Sequence, residues 1–187
     1  MTRIIGGTAG GRRLETPRGS DLTRPTSDRV REALFSSIEA WCGSWQGLRV
    51  LDLYAGTGAV GLEALSRGAA ALTLVEHDRP TAALISRNAR ALGFDATVIA
   101  ASVGTTLRTP PAEPFDLVFL DPPYPMPNSD VEAALAALVQ NRWLAPDALV
   151  VVERAKRTGL PRWPEGIEPG RERRYGETVL GYGHTSP

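Results

Sequence analysis

The sequence has little of the residues that build disulfide bonds and zinc sites. Cys42 is the only cysteine, and 187 residues include two histidines, so the chain forms neither an internal disulfide nor a zinc site built from cysteines. The longest apolar stretches, such as residues 69–75 and 148–152, fall far short of the roughly 18 residues that a membrane span needs. The N-terminus lacks the apolar core of a signal peptide. We therefore expect a soluble, cytoplasmic protein with no metal and no membrane partner.

Lysine is nearly absent, because 20 of the 21 basic side chains are arginines. The formal net charge is zero, yet residues 1–31 carry +4, residues 32–150 carry −6 and residues 151–187 carry +2. Arginine binds phosphate in bidentate geometry and stacks on bases, which lysine does not. The basic N-terminal segment has the charge pattern of a phosphate-binding surface, although an arginine-rich genome would give the same composition.

The chain length and the order of apolar segments favour one α/β domain. Short apolar runs alternate with helical patterns from residue 49 onward, which is typical of a parallel sheet covered by helices on both faces. Strands are predicted at 49–53, 71–75, 96–100, 115–120 and 148–153, and helices at 58–67, 80–92 and 128–140. Two final β segments, 171–175 and 178–182, predict an antiparallel hairpin that completes the sheet.

The part before residue 49 has a different pattern. Residues 1–25 contain two short β-like pieces separated by glycines. A helix is predicted from a cap at Thr26 or Ser27 to about residue 41. Apolar residues at three- and four-residue steps predict its buried stripe, which comprises Val30, Leu34, Ile38 and Trp41.

The first motif that carries chemistry is a glycine-rich turn between a strand and a helix, with the sequence Asp52-Leu53-Tyr54-Ala55-Gly56-Thr57-Gly58. Ligands of open α/β sheets bind at the carboxyl ends of such strands, and glycine lets the backbone approach a ligand closely. The glycines alone suit nicotinamide, flavin or S-adenosylmethionine enzymes, as well as a plain tight turn. Asp52 argues against a dinucleotide, because its charge would repel a pyrophosphate and would instead face a cationic amino group.

Glu76 ends the next predicted strand. An acid at this place accepts hydrogen bonds from both ribose hydroxyls of a bound nucleoside, whereas the alternative is an ordinary exposed carboxylate. His77 belongs to the same candidate cofactor-binding segment. Its side chain points to the opposite face of the strand, so we expect a structural role for His77 rather than a role as a base.

The third motif is Asp121-Pro122-Pro123-Tyr124, again at a strand end. Two prolines fix the backbone and remove two amide donors, which leaves a rigid cluster of hydrogen-bond acceptors. Such a cluster suits a target that is a donor, namely an NH₂ group. Tyr124 supplies a flat face on which a base stacks. An ordinary turn is the alternative for Asp-Pro-Pro taken alone.

Together these motifs resemble class I S-adenosylmethionine-dependent amino-methyltransferases, and nearly the whole chain resembles the RsmD family of bacterial 16S ribosomal RNA guanine-N2 methyltransferases. The resemblance rests on residues 3–7, 11–14, 24–35, 52–58, 61–68, 121–124 and 175–178. Within this set, the Arg24-Pro25-Thr26 block is far more specific to the family than the glycine motif.

The resemblance implies a Rossmann-like class I methyltransferase fold. This is an α/β fold with a mostly parallel seven-stranded sheet flanked by helices, a C-terminal antiparallel hairpin and a small N-terminal β-rich extension. It implies S-adenosylmethionine as cofactor, S-adenosylhomocysteine as product and no metal. The implied substrate is one guanine of 16S ribosomal RNA, methylated on N2 in an assembling or assembled small ribosomal subunit. We expect a monomer with a basic RNA-binding extension at 1–25 and a methyltransferase domain at 26–187.

The candidate site residues fall into three groups. The catalytic group is Asp121, Pro122, Pro123 and Tyr124. The cofactor-binding group is Asp52, Tyr54, Ala55, Gly56, Thr57, Gly58, Glu76, His77 and Ser102. The RNA-binding group is Arg3, Arg12, Arg13, Arg24, Thr26, Arg29 and Arg31, although part of it, Arg29 and Arg31 above all, could instead hold the N-terminal segment on the domain. Ser102 departs from the family, in which Asp or Asn at this place often bonds the adenine amine of the cofactor.

Other functions compete with this one. An adenine-N6 methyltransferase acting on RNA or DNA uses the same Asp-Pro-Pro-Tyr chemistry, and nothing in that tetrapeptide separates the two amines. A non-catalytic RNA-binding assembly factor could retain the fold, although the intact acceptor and glycine motifs argue against it. A protein-glutamine methyltransferase more typically has Asn in place of Asp121.

Overall fold

The computed structural model describes residues 2–18 and 27–187. Two short strands, β1 (Thr2–Arg3) and β2 (Arg13–Leu14), precede the first helix, α1 (Asp28–Cys42). The alternating part comprises β3 (Arg49–Leu53), α2 (Ala59–Ser66), β4 (Ala71–Glu76), α3 (Arg79–Ala91), β5 (Thr97–Ala100), α4 (Val103–Thr106), β6 (Phe115–Leu120), α5 (Asn128–Gln140) and β7 (Leu144–Ala155). The hairpin of β8 (Glu168–Tyr175) and β9 (Thr178–His184) follows.

Strands β3 to β9 form one sheet in the order β5-β4-β3-β6-β7-β9-β8. Strands β3 to β7 are parallel, and β9 lies antiparallel between β7 and β8. The chain moves outward from β3 through β4 to β5 and then returns to place β6 on the other side of β3. This reversal is a topological switch point, where the carboxyl ends of β3 and β6 open a crevice for ligands.

The sheet separates two apolar cores. One core joins α1, α2, α3 and the N-terminal residues Ile4 and Leu14 to one face of the sheet. The other core joins α4 and α5 to the opposite face. Strand β8 at the edge is exposed along nearly its whole length and carries charged side chains, which disfavour edge-to-edge pairing with another sheet. The arrangement confirms the predicted mostly parallel seven-stranded sheet with its antiparallel hairpin.

Three local expectations need correction. Trp41 is 39% exposed, and the buried face of α1 uses Phe35 together with the other predicted apolar residues. Strand β7 extends beyond the predicted 148–153 at both ends, because Leu144 pairs with β6 and the pairing with β9 continues to Ala155. Helix α4 was not predicted, because a single turn is too short for a detectable apolar period.

The N-terminal segment packs against α2 instead of standing apart from the domain. The backbone N–H groups of Ile5 and Gly6 donate to the two carboxylate oxygens of Glu63 at 2.7 and 2.8 Å. The Ser66 hydroxyl donates to the Gly6 carbonyl at 2.6 Å and accepts from the Ala9 N–H at 2.9 Å. Side chains of α2 thus satisfy backbone groups that no strand partner reaches.

Glu63 also faces two arginines. The Arg67 Nε donates to its Oε2 at 3.0 Å, and the Arg31 Nη1 lies 3.9 Å from its Oε1. Glu63 is fully buried and Arg31 is 1% exposed, with a second ion pair to Asp28 at 2.7 Å. A buried charge is tolerated only when it is paired and hydrogen-bonded. One carboxylate therefore holds α1, α2 and the N-terminal segment together.

We expect Glu63→Ala to lower the free energy of unfolding by about 3–5 kcal/mol, because it removes one partner of a buried charge network. Urea unfolding followed by circular dichroism measures this loss. Glu32→Ala on the exposed side of α1 is the matched control, with an expected change within about 0.5 kcal/mol. A loss below about 1 kcal/mol for Glu63→Ala, the typical cost of an average substitution, would contradict this role.

Candidate active site

The candidate site lies at the sheet edge where β3, β4, β6 and β7 end. Side chains alternate between the two faces of a strand, so residues two positions apart share a face. The α1–α3 side of the sheet holds Val50, Leu74, Phe119 and Val151. Two positions further along the same strands stand Asp52, Glu76, Asp121 and Glu153. Each of the four strands therefore presents one carboxylate at its end, on the same face of the sheet.

Residues 54–58, here called the glycine loop, connect β3 to α2 in an unusual backbone conformation. Tyr54, Gly56 and Gly58 have φ angles of 58°, 57° and 80°, in the left-handed region that favours glycine. A Cβ at Gly56 would meet no atom within 4 Å, whereas one at Gly58 would contact Ile85 at 3.0 Å. The loop thus has open space above Gly56 and close packing beneath Gly58, the shape that admits a ligand to its outer side.

The glycine loop is held from beneath by polar contacts. The Gly61 N–H donates to the Asp52 Oδ2 at 3.0 Å, and the Ala55 N–H donates to the Val75 carbonyl at 3.0 Å. The Asn88 side-chain amide donates to the Thr57 carbonyl at 3.3 Å. Asp52 is 2% exposed, so its carboxylate lies under the loop and fixes the start of α2. A direct contact of Asp52 with a ligand amino group stays a prediction.

Electrostatics connect three of the strand-end carboxylates. Desolvation raises the pKa of Asp52 well above its ordinary value; the Gly61 hydrogen bond opposes this, and the charges of Asp121 and Glu76 add to it. Burial is also the main cause of the raised pKa of Glu76. Concentrated negative charge with little solvent favours a cationic ligand, which would relieve the repulsion.

The remaining predicted cofactor residues lie around the end of β4 and the start of α4. The Glu76 carboxylate is 11% exposed and lies 3.5 Å from the Nδ1 of His77, whose side chain is 74% exposed. Ser102 is the N-cap of α4, where its Oγ accepts from the Thr105 N–H at 3.1 Å and donates to the Thr105 Oγ1 at 2.8 Å. The Ser102 hydroxyl therefore already has a local structural role, and a contact with adenine stays a prediction.

A cavity of about 400 Å³ opens beside Asp121, within the size range of sites for small organic ligands. The residues that line it include Asp121, Tyr124 and, near the end of β7, Glu153. The first turn of α1 and the hairpin turn at residues 175–178 close two further sides. Two of the resemblance motifs, 121–124 and 175–178, thus meet in one cavity although more than 50 residues separate them in the sequence.

Arg154 holds the segment that follows β6, residues 121–126, here called the proline loop. Its Nη2 donates to the Met126 carbonyl at 2.5 Å and its Nη1 to the Pro123 carbonyl at 3.5 Å. Arg154 is 4% exposed. Desolvation lowers its pKa, and the nearby charge of Asp121 opposes that shift. A buried guanidinium therefore fixes the backbone that carries Asp121 and Tyr124.

Two tyrosines have contrasting environments. Tyr124 is 51% exposed, and the Arg157 guanidinium lies 5.7 Å from its ring centroid, a cation–π arrangement. Tyr54 is half-buried, and burial raises its pKa to about 12. The Tyr124 ring is therefore available to a stacking partner. Tyr54 keeps its proton and packs against the core that contains α4 and α5.

Within the described residues, the predicted RNA-binding arginines do not form one patch. Arg3, Arg13 and Arg29 are exposed, and Arg3 lies 3.4 Å from Asp28. The Arg12 Nη2 donates to the Ala91 carbonyl at 2.8 Å, at the end of α3 that is opposite to the strand ends. Arg31 is a correction, because it is buried between two carboxylates and does not reach a phosphate. Arg24 and Thr26 lie outside the described residues, as does the boundary placed at residues 25 and 26.

Sequence reasoning missed Glu153, Arg154 and Arg157. All three sit at or just after the end of β7, where the sequence Val152-Glu153-Arg154 places charges directly after an apolar run. Charged residues that directly follow an apolar strand are either solvated or functional, so this pattern could have identified them as candidates. What the sequence did not show is that β7 lies beside β6, which brings these charges to Asp121.

The described residues contain neither a membrane-spanning helix nor a metal-binding cluster. Between residues 2–18 and 27–187, no helix combines the length and apolarity that crossing a bilayer requires. Within the same two ranges, His, Cys, Asp and Glu side chains form no group of three or more with the geometry to hold a metal ion.

The buried charge of Asp52 predicts a pH effect on stability. A raised pKa in the folded state means that this state binds the proton more tightly than the unfolded chain, so stability falls as pH rises through the folded-state pKa. Asp52→Asn removes this dependence. We expect the stability of the variant relative to the parent to increase by about 1 kcal/mol or more between pH 5 and pH 8, since one pKa unit corresponds to about 1.4 kcal/mol.

Urea unfolding at both pH values measures the difference between the two proteins. Asp95→Asn on the exposed surface is the matched control, for which the difference stays constant with pH. If the difference in free energy of unfolding between Asp52→Asn and the parent protein also stays constant with pH, burial does not raise the pKa of Asp52.

Comparisons with known proteins agree with the geometry. The family model described as "Conserved hypothetical protein 95" matches residues 2–183. The chain is 39% identical over 190 residues to "Ribosomal RNA small subunit methyltransferase D" of Escherichia coli (strain K12), covering 95% of this chain and 86% of the relative. It is 39% identical over 158 residues to the protein of that name from Haemophilus influenzae, covering 82% and 79%.

A solved structure from Escherichia coli, described as "Putative methyltransferase yhhF", has a TM-score of 0.87 and 34% identity, with 100% of this chain and 98% of that chain covered. The range matched by the family model includes the glycine loop, the proline loop and the hairpin turn. The chain therefore belongs to the Conserved hypothetical protein 95 family, which corresponds to the RsmD family that its motifs resemble, and it is a methyltransferase.

Proposed function

We propose that this protein transfers a methyl group from S-adenosylmethionine to the exocyclic N2 amine of a guanine in 16S ribosomal RNA. The observation that carries the proposal is the cavity lined by Asp121 and Tyr124 at the end of β6, whose neighbour β3 leads into the glycine loop. The relatives named for methylation of small-subunit ribosomal RNA support the substrate class. The protein would act as a monomer in the cytoplasm, on the assembling or assembled small subunit.

The residues of the glycine loop and the strand ends fit S-adenosylmethionine. The space above Gly56 is where a Cβ would point without obstruction, so the backbone can approach the cofactor there. Glu76, at the end of β4, would accept hydrogen bonds from ribose hydroxyls. When bound, S-adenosylmethionine supplies a methyl group activated on a positively charged sulfur. The carboxylates of Asp52, Glu76 and Asp121 provide the negative surroundings that favour such a cation.

Asp121 and the proline loop would orient the target amine. The lone pair of that amine is delocalised into the base ring, so the amine is a poor nucleophile. The Asp121 carboxylate and the Pro122 carbonyl accept its two hydrogens, which points the lone pair toward the glycine loop. This is catalysis by orientation and electrostatics, and the Arg154 contacts to the proline loop keep the acceptors in place.

The target base has to leave its stack to enter the cavity. Tyr124 offers an exposed ring on which the extruded base stacks, a contact worth about 1–3 kcal/mol. Arg3, Arg13 and Arg29 would contact RNA phosphates, with Arg24 and Thr26 assigned to the same group by the resemblance. The N-terminal segment would then be an RNA-binding extension that is packed on the catalytic domain through Glu63.

The competing functions have less support. An assembly factor without activity would not need the acceptor cluster of the proline loop or its buried Arg154 clamp. An adenine-N6 enzyme would have the same proline loop, but the relatives at 39% identity are named for ribosomal RNA of the small subunit.

The proposed reaction is tested with cofactor that carries a labelled methyl group. The protein is incubated with small ribosomal subunits, or with naked 16S RNA, from cells that lack this activity, and the digested nucleosides are separated. We expect label in N2-methylguanosine. Label in N6-methyladenosine would instead establish the adenine enzyme, and confirmed cofactor binding without transfer to either substrate would favour an assembly factor.

Asp121→Ala removes the proposed acceptor of the amine hydrogens. We expect transfer to fall by at least about 10³-fold, because positioning and electrostatic terms of this kind each contribute several orders of magnitude. Cofactor binding, measured by calorimetry, should stay within a few-fold of the parent protein. Asp116→Ala at the start of β6 is the control strand substitution. A variant of Asp121 that retains a tenth of the activity would refute this role.

Arg13→Ala and Arg29→Ala test the RNA contacts. Each removed phosphate contact should reduce the slope of log affinity against log salt by about 0.7–0.9. Filter binding of a 16S RNA fragment at several salt concentrations measures the slope. Arg108→Ala, beyond the last turn of α4, removes an exposed arginine from outside the proposed surface and should leave the slope unchanged. If the slopes of all three variants equal the slope of the parent protein, Arg13 and Arg29 do not contact RNA phosphates.

A further inference from the structure

The proline loop does not explain how the site selects guanine. Both guanine and adenine present an exocyclic NH₂ group, and Asp121 with the Pro122 carbonyl accepts hydrogens from either. Tyr124 stacks on any base, because every base has a π-face. A site that contained these residues alone would therefore accept both purines. To distinguish the two purines, another group in the cavity has to contact the ring nitrogen next to the amine.

Glu153 is placed to be that group. Leu120 of β6 and Val152 of β7 are partners in the parallel sheet register, so the residues that follow them, Asp121 and Glu153, stand side by side. Neighbouring strands are about 4.8 Å apart, and both residues line the same cavity. Glu153 is 8% exposed, which makes it a largely desolvated carboxylate that faces the proposed position of the base.

The strand that carries Glu153 is also rigid. Strand β7 lies between β6 and β9, with Glu153 opposite Leu180 in the antiparallel register. A side chain on a central strand is positioned more accurately than one on a loop. The pair of Asp121 and Glu153 is therefore a fixed arrangement of acceptors at adjacent strand ends.

The two purines differ in the hydrogen-bonding atoms that they offer to this pair. On its Watson–Crick edge, guanine carries an N1–H donor beside the N2 amine, so it presents adjacent donors. Adenine carries an N1 lone pair beside its amine. A carboxylate opposite the N1 lone pair brings two acceptors face to face, and their repulsion is costly in a desolvated site.

We propose that Glu153 accepts the N1–H of the target guanine while Asp121 accepts from its amine, which makes the site specific for guanine. The inference rests on the proposed function, since it concerns the base that enters the Asp121 cavity. Asp121 acts on the reacting amine in any purine, and Glu153 determines which purine is bound in a reactive position.

The test replaces the target guanine, once located in the labelled product, with 2-aminopurine. This base keeps the reacting amine but has a lone pair at N1. We expect the parent protein to prefer guanine by at least about 10² in kcat/KM, because a site built for a hydrogen bond rejects an analogue that lacks the donor. Equal rates on the two substrates would overturn the proposal, and this comparison needs no variant.

Glu153→Gln then changes the acceptor into a group that also donates through its amide nitrogen. We expect kcat/KM for guanine to fall about 10- to 100-fold, as for loss of a hydrogen bond to a charged group. We expect kcat/KM for 2-aminopurine to rise, because the new amide donates to its N1. The reversal of preference is the supporting result. Equal losses on both substrates would mean that Glu153 has a structural role, and unchanged rates would exclude a contact with the base.

The controls separate this proposal from the proposed function. Glu172→Gln on the exposed edge strand β8 removes the same charge outside the cavity, and both rates should stay unchanged. Cofactor affinity and the circular dichroism spectrum of Glu153→Gln should match those of the parent protein. Absence of methyl transfer to guanine by the parent protein would overturn both proposals. Transfer to guanine without discrimination against 2-aminopurine would overturn the role of Glu153 and leave the proposed function intact.

Discussion

The structure depends on one constraint, the alternation of side chains along strands that all run in the same direction. Because β3, β4, β6 and β7 are parallel, their carboxyl ends meet at one edge of the sheet. Side chains two positions apart share a face, so in each of these strands a carboxylate at the end lies on the same face as a buried apolar residue two positions earlier. The candidate site is therefore continuous with the core, and alternation places Asp121 on the same face of the sheet as Phe119.

This arrangement concentrates negative charge where solvent is scarce, and the surrounding structure has to support it. The Gly61 N–H stabilises Asp52 from below, while Arg154 lies close to Asp121 and fixes the proline loop through two carbonyls. The raised pKa values of Asp52 and Glu76 record the remaining repulsion and desolvation. A positively charged cofactor would reduce this cost on binding. The buried carboxylates at the strand ends thus affect both the stability of the fold and the charge of the ligand that the site favours.

The N-terminal segment shows a second use of buried charge. Its backbone N–H groups at Ile5 and Gly6 are satisfied by Glu63, which also faces Arg31 and Arg67. The segment is therefore built into the domain through hydrogen bonds that a loosely attached tail would lack. This packing places the arginines of the N-terminal segment and α1 in three different environments. Arg31 is taken into the interior, Arg12 is directed to the far end of α3, and Arg3, Arg13 and Arg29 stay at the surface.

The sequence by itself determined the strands, the helices longer than two turns, the order of α and β segments and the three motifs at strand ends, because apolar period and turn residues are local properties. It also determined which residue types could accept hydrogens from an amine. Only the tertiary structure decided that the hairpin inserts β9 next to β7, that Glu153 stands beside Asp121, and that Arg31 is buried while Trp41 is exposed. These outcomes depend on strand order and on which neighbour covers a given helix face. Such contacts join residues far apart in the chain, and no local pattern encodes them.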